Sequence, residues 1–325
     1  MRICYLAGAN SIHSYRWIKF FADAGHEVAW ISLSPSIFKP LKDVYYTEIS
    51  WALNPFRMIR AAMRIRSVVT SFKPDIMHIH SVGSYGLMGL LSGFDPIIAT
   101  PWGSDIILGK TSFLKRPFIS RILSRATLIT CDAIHMRKEI MQLGVPKERI
   151  HIINFGIDTI RFSPGPVDIA FRTKNELGDA LVVISLRNFE SIYDIPTLLK
   201  AIPKVLDSYP NTKFLLVGQG SQEKELKSMA KQLRLDNSIV FSGFLPNEKL
   251  VDILRSVDVY VSTSLSDAGI SASTAEAMAC GLPVIVTNSG ENDRWISDGK
   301  MDILFLSANL RYWPIDLIWF SETPN

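Results

Sequence analysis

Short apolar runs alternate with amphipathic stretches along most of the chain. Arg2 to Ala7 is a strand-like run that turns through Gly8, Ala9, Asn10 and Ser11. A helical periodicity follows from Tyr15 to Ala24, Gly25 ends it, and Val28 to Ser32 predicts a second strand. "KPDIMHIHS", Lys73 to Ser81, reads as a turn and a buried strand, and "IIATPWGSD", Ile97 to Asp105, as the next strand with its carboxyl-end loop. Ala126 to Pro164 supplies a strand, a helix from about Ala133 to Leu143, a Gly144-Val-Pro turn and another strand. Leu181 to Leu186, the run before Gly218, and Val257 to Val261 repeat the theme. Apolar runs this short, without polar alternation, are strands covered on both faces, which is how parallel sheets are built. The pattern predicts an α/β chain with doubly wound parallel sheets.

Val257 to Pro283 organises the chain. After the strand comes a loop of small residues, Ser262 to Ala272, and then a helix opening on Ser273, Thr274, Ala275 and Glu276. Gly281 and Pro283 stop that helix, and Val284 to Val286 form the following strand. A strand, a small-residue loop and a helix start make an anion site, because unpaired amides and the helix dipole face an open space. Glu276 lies one turn in, too far for a phosphate and suited to sugar hydroxyls. The same letters also spell a capping box on an ordinary helix. The opening βαβ unit has Gly8 but no GxGxxG, so dinucleotide binding is not supported. Gly156, Pro164, Gly165 and Pro166 mark a linker, which puts the domain boundary near 162, with domains 1–162 and 163–325.

"EAMACGLPVIVTNSG…WISDG" resembles the signature of the family 4 glycosyltransferases, as "PDIMHIH" and "NFGIDTIRFSP" resemble two further segments of that family. The resemblance implies a GT-B fold, two Rossmann-like domains facing across a cleft, and a retaining transferase that needs no metal. It implies that Arg187 neutralises the donor diphosphate, that Ser271, Ala272, Ser273 and Thr274 bind it through their amides, and that Glu276 holds the ribose. The Phe244-Leu245 loop would read the base, and Gly8 and His13 would face the cleft. This chain departs from the family at three places. The family's sugar-contacting Glu, eight residues before Glu276, is Ala268 here, with Asp267 beside it as stand-in. The Lys that follows the family's Arg gives way to Ile192-Tyr193-Asp194, and the usual His of the 97–105 loop to Trp102, whose face can stack on a sugar. Asp105 keeps its position and is a catalytic or a capping carboxylate. The partners implied are a nucleotide-sugar and a glycan or lipid-linked acceptor. An epimerase of the same architecture and a non-catalytic remnant are the rival readings.

The 325 residues, 47% hydrophobic and 20% charged, suit two ordinary globular domains. The start lacks the features of a signal peptide, and Ile76 to Phe94 is broken by His, Ser and Gly, so a cytoplasmic location is expected. Cys4, Cys131 and Cys280 show no metal spacing and are expected as reduced core thiols. Residues 1–160 carry 19 Lys and Arg against 11 Asp and Glu, a net of +8; the remainder carries 16 against 20, a net of −4. Arg57, Arg60, Arg64 and Arg66 lie among Phe56, Ile59 and Met63, and Lys110, Lys115, Arg116, Arg121 and Arg125 among Phe113, Leu114 and Phe118. Such segments fit an anionic membrane surface or a solvated helix face. Nucleic acid is not expected, since no binding motif accompanies the charge.

After Asp298-Gly299-Lys300 the resemblance stops. Restoring one nucleotide after codon 300 returns an Asn-Gly-Tyr reading typical of the family. Residues 301–325 are therefore expected to be out of frame, and the second domain incomplete.

Overall fold

The computed structural model describes residues 1–296, apart from 111, 155, 244, 246 and 268, together with residues 303–305. It divides into two compact units, Met1–Asn154 and Phe155–Asn325. Phe162 is buried in the core of the second unit, so the turn-rich stretch that suggests a boundary near 162 lies inside that unit.

Unit 1 is built on seven strands: β1 (Arg2–Leu6), β2 (Glu27–Ser32), β3 (Val44–Glu48), β4 (Ile76–His80), β5 (Ile97–Thr100), β6 (Leu128–Cys131) and β7 (Ile150–Ile152). They run parallel in the order β3-β2-β1-β4-β5-β6-β7. β1 is central, with Cys4 opposite Ala29 on one side and Met77 on the other. Its residues Cys4, Tyr5 and Leu6 are wholly buried, which is why the run carries no polar alternation. Burial pushes the Cys4 thiol up to about 12, and all three cysteines are buried and outside any disulfide. Such thiols pack as small apolar groups.

Unit 2 has β8 (Leu181–Ser185), β9 (Thr212–Val217), β10 (Ile239–Gly243), β11 (Val259–Ser262), β12 (Val284–Thr287) and β13 (Ile303–Phe305), parallel in the order β10-β9-β8-β11-β12-β13. β13 lies along β12 with Ile303 opposite Ile285. The expectation of an out-of-frame tail otherwise falls on residues outside those described.

Both sheets reverse direction of growth once, between β1 and β4 in unit 1 and between β8 and β11 in unit 2. The connections leaving those neighbouring strands splay to opposite faces and open a crevice at the carboxyl edge, where doubly wound sheets take ligands. The helices follow local chemistry. Helix Pro55–Phe72 opens with Asn54, whose side chain accepts from the Phe56 and Arg57 amides, and with Pro55 in the first turn. It buries Ala61, Ile65, Val69 and Phe72 and ends at Lys73 in the left-handed region, φ 50°. Ser11 caps helix Ile12–Asp23, which therefore begins ahead of the periodic stretch and places His13 in its first turn. Among the described residues no helix is long and apolar enough to cross a membrane.

Candidate functional site

In unit 2 the crevice is lined by the segments that follow β8 and β11. Arg187, just beyond β8, is buried to 7% exposure. One of its terminal nitrogens donates to Ser264 Oγ at 3.1 Å and pairs with Asp267 Oδ1. Tyr193 lies beneath the guanidinium, 4.3 Å from ring centroid to Cζ. Burial is the strongest single influence and works against this charge, but the Asp267 carboxylate with Tyr260 and Tyr193 together lift the Arg187 pKa above its ordinary value. The Arg187 Nε is buried with no partner, a donor that a ligand oxygen would satisfy.

The two segments are tied together. Thr263 Oγ1 donates to the carbonyls of Tyr193 at 3.0 Å and Asp194 at 2.9 Å, and the Leu265 amide donates to Ile192 at 2.9 Å. The Ile192-Tyr193-Asp194 stretch, which has no Lys, thus serves as the floor and anchor of Arg187. Neighbouring loops fit closely against this pair. A Cβ on Gly218 would stand 2.5 Å from the Arg187 carbonyl oxygen. A Cβ on Gly290, whose φ is +64°, would stand 2.6 Å from the Gly269 oxygen and 2.7 Å from the Asp267 oxygen. Gly290→Ala is expected to push away the loop that carries Asp267, at a cost on the order of 1–3 kcal/mol. Thermal denaturation should show the melting point falling by several degrees.

Helix Ala272–Ala279 follows the same loop after β11, and Ser271 is its cap. Ser271 Oγ accepts from the Thr274 amide at 3.2 Å and contacts Thr274 Oγ1 at 2.7 Å. The Tyr260 hydroxyl of β11 holds Ser273 Oγ at 2.9 Å. Capping therefore uses the Thr274 amide, while Ala272 and Ser273 have first-turn amides that the helix itself cannot satisfy. The capping box and the anion site coexist: the cap consumes one donor and leaves others. Glu276 is buried at 4% exposure in the same helix. Leu245 packs partly buried against the core of the unit, and Phe244 lies outside the described residues.

In unit 1 the crevice is ringed by His13, His80 and Trp102. The Trp102 ring lies 5.5 Å from His13 and meets His80 edge-on at 5.1 Å. His80 Nδ1 contacts Ser14 Oγ at 3.1 Å, and its Nε2 is buried with no partner. His78 Nε2 reaches Thr100 Oγ1 at 2.7 Å, which meets Thr130 Oγ1 at 2.5 Å. Burial holds His78 down to about 3, burial with Arg16 nearby holds His13 down to about 4, and burial with two histidine neighbours holds His80 well below its ordinary range. All three rings are neutral at pH 7. Gly8 sits at the end of β1, where an added Cβ would stand 3.3 Å from the Tyr85 hydroxyl.

Asp105 does the work of a cap. Oδ2 accepts from the Val82 amide at 2.8 Å, and Oδ1 accepts from Trp102 at 3.0 Å and Ile106 at 3.1 Å. Burial raises its pKa against the pull of these bonds. Its oxygens join the loops after β4 and β5 and so hold Trp102 in place. The buried pair His78 and His80, with Tyr5 packed on both rings, is not among the candidates read from the sequence; its signal is the HxH spacing within β4.

Two family models match the chain: "Glycosyl transferase 4-like" over residues 2–133 and "Glycosyl transferases group 1" over residues 167–309. Among relatives, the GDP-mannose-dependent alpha-(1-6)-phosphatidylinositol monomannoside mannosyltransferase of Mycolicibacterium smegmatis is 26% identical over 249 residues, 74% of this chain and 65% of that protein. The glycogen synthase of Mycobacterium tuberculosis is 26% identical over 335 residues, covering 91% and 78%. The chain thus spans about two thirds of the first relative's length and more of the second's. Among solved structures, Anabaena Alr3699/HepE in complex with UDP-glucose superposes with a TM-score of 0.84 at 18% identity, covering 99% of this chain and 90% of that one. Residues 2–133 are thus similar to glycosyl transferase 4-like proteins and residues 167–309 to glycosyl transferases group 1, and the two Rossmann-like sheets are those of the GT-B fold.

Proposed function

We propose that the protein is a retaining glycosyltransferase that moves a sugar from a nucleotide-diphosphate donor to a glycan or lipid-linked acceptor, in cell-surface polysaccharide or glycolipid synthesis. The reaction would run in the cytoplasm, at an anionic membrane surface, and without a metal cofactor. The observation that carries the reading is Arg187: a buried guanidinium at the sheet reversal of unit 2, with one unpartnered N–H and a helix that starts on the loop after the neighbouring strand β11. The relative that uses GDP-mannose and the neighbour that holds UDP-glucose support a nucleotide-sugar as donor.

In this proposal Arg187 offers its planar fork to the diphosphate oxygens, which suits paired anionic oxygens better than a Lys would. The amides of Ala272 and Ser273 take further oxygens, and the positive helix start stabilises charge as the diphosphate leaves. Glu276 accepts from the ribose hydroxyls, and Phe244 and Leu245 border the base. Asp267 keeps one oxygen on Arg187 and offers the other to the donor sugar. Asp267→Asn is then expected to lower turnover of the nucleotide-sugar by roughly tenfold or more while leaving nucleoside-diphosphate affinity within a few-fold, because a charged hydrogen bond is worth about 1.5–3 kcal/mol. Unit 1 receives the acceptor beside Trp102 and His13, with Gly8 keeping the crevice open.

Transfer assays with GDP-mannose and UDP-glucose test the reading. Product should retain the donor's anomeric configuration, and EDTA should leave the rate unchanged. Release of nucleoside diphosphate from neither donor, with any acceptor, would overturn it. One observation favours a non-catalytic nucleotide binder: Asp267 already neutralises Arg187. Nucleotide binding without turnover would support that second reading.

A further inference from the structure

Helix Pro55–Phe72 has two apolar stripes, and only one of them has a use inside the fold. Ala61, Ile65, Val69 and Phe72 face the sheet. Phe56, Ile59 and Met63, at spacings of three and four, point outward, at 84%, 59% and 66% exposure. Arg57, Arg60 and Arg64 are exposed beside them, each one position along. Helix Lys115–Arg125 repeats the arrangement. Phe113, Leu114 and Phe118 are exposed at its start, with Lys115, Arg116 and Arg121 around them. Neither helix contains an acidic residue.

The fold gathers these two separate segments. Helix Ser84–Ser92 packs between them, against both. Both long helices run toward the amino edge of the sheet: the Asp75 amide, just past the first, donates to Arg2, and the Thr127 amide, just past the second, donates to Ile97. Their starts, carrying Phe56, Ile59, Phe113, Leu114 and Phe118, therefore stand at the carboxyl edge, the same edge as His80 and Trp102.

We propose that this end of unit 1 docks on an anionic lipid bilayer. The exposed aromatic and aliphatic side chains enter the headgroup boundary, and the basic side chains meet lipid phosphates. The charge argues for that occupant: acid-free basic helices repel a second copy of themselves and attract a surface of fixed negative charge. The proposal rests on the transferase reading only for its consequence, that the unit 1 crevice faces acceptors held in the membrane. Docking itself needs no turnover.

Sedimentation of the full chain with vesicles tests it, using phosphatidylcholine alone and phosphatidylcholine with a third of phosphatidylglycerol, at low and high salt. Binding is expected to the anionic vesicles and to weaken with salt. Replacing Arg57, Arg60 and Arg64 by Glu should lower the partition coefficient on the order of a hundredfold. Phe56→Ser and Phe118→Ser should each lower it by roughly tenfold. These side chains are exposed, so an unchanged melting point confirms that each variant folds. Equal binding to both vesicles, no binding, or no effect of either set would overturn docking. A chain that docks but transfers no sugar would overturn the transferase reading instead.

Discussion

Lowering the pH from 7 to 5 is expected to cost unit 1 about 4 kcal/mol of stability, from His78 and His80 alone. Both rings are buried, at 3% and 1% exposure, and are held neutral far into acid. Above pH 6.5 each is neutral whether the chain is folded or not, so nothing changes. Below it the unfolded chain takes up protons that the native rings refuse, and stability falls as the pH falls. At pH 5 that amounts to about 2 kcal/mol for each ring, since a pH unit is worth about 1.36 kcal/mol. Asp105, with its raised pKa, works in the opposite sense, but at a pH nearer the carboxylate range. Urea unfolding at the two pH values, followed by tryptophan fluorescence, measures the loss; Trp17 lies edge-on to His78 at 5.1 Å and reports on the site. His78→Gln should remove about a third of the pH dependence, because His13, held down to about 4, adds a share similar to that of each buried ring. A double replacement of His78 and His80 that left the dependence intact would show that other groups carry it.

Replacing Arg187 by Ala should reduce turnover of the nucleotide-sugar by roughly 10²–10³-fold, the usual loss when a preorganised donor to developing charge is removed. The same change leaves the half-buried Asp267 without its partner, which costs up to about 3–5 kcal/mol. Loss of activity and loss of fold must therefore be separated. The double variant Arg187→Ala with Asp267→Asn removes the orphaned charge, so it should recover most of the melting point and none of the turnover. Arg187→Lys keeps the charge and loses the fork, and should fall between wild type and Ala. Wild-type turnover in the double variant would mean that the guanidinium has no role in the reaction.

The chain showed its architecture openly because parallel strands buried on both faces leave unbroken apolar runs, as in Arg2–Leu6 and Leu181–Ser185. β3, Val44–Glu48, was hidden: it is an edge strand with Tyr45 and Tyr46 exposed, and "VYYTE" has neither a clean apolar run nor a strict alternation. The place of Arg187 was legible from its position after a strand. Its pairing with Asp267 was not, because residues 80 apart in sequence meet only through the strand order β8-β11. The letters leave Asp105 open between two roles, and the structure shows the capping one through its contact with Val82 on another loop. The neutral histidine pair could not be read from letters alone, since neutrality comes from burial that the sheet imposes. Trp102 was expected to offer its face to a sugar; His13 and His80 pack against that ring in the structure.

Transfer as proposed requires a diphosphate resting on the first amides of helix Ala272–Ala279 with Arg187 against it. Titrating isotope-labelled protein with a nucleoside diphosphate, and following the amide resonances of Ala272 and Ser273 with the Arg187 Nε–H, tests this most directly. The three signals should move together, with one dissociation constant, and should stay still when the nucleoside alone is added. Saturable binding of the diphosphate that left all three unmoved would contradict the account.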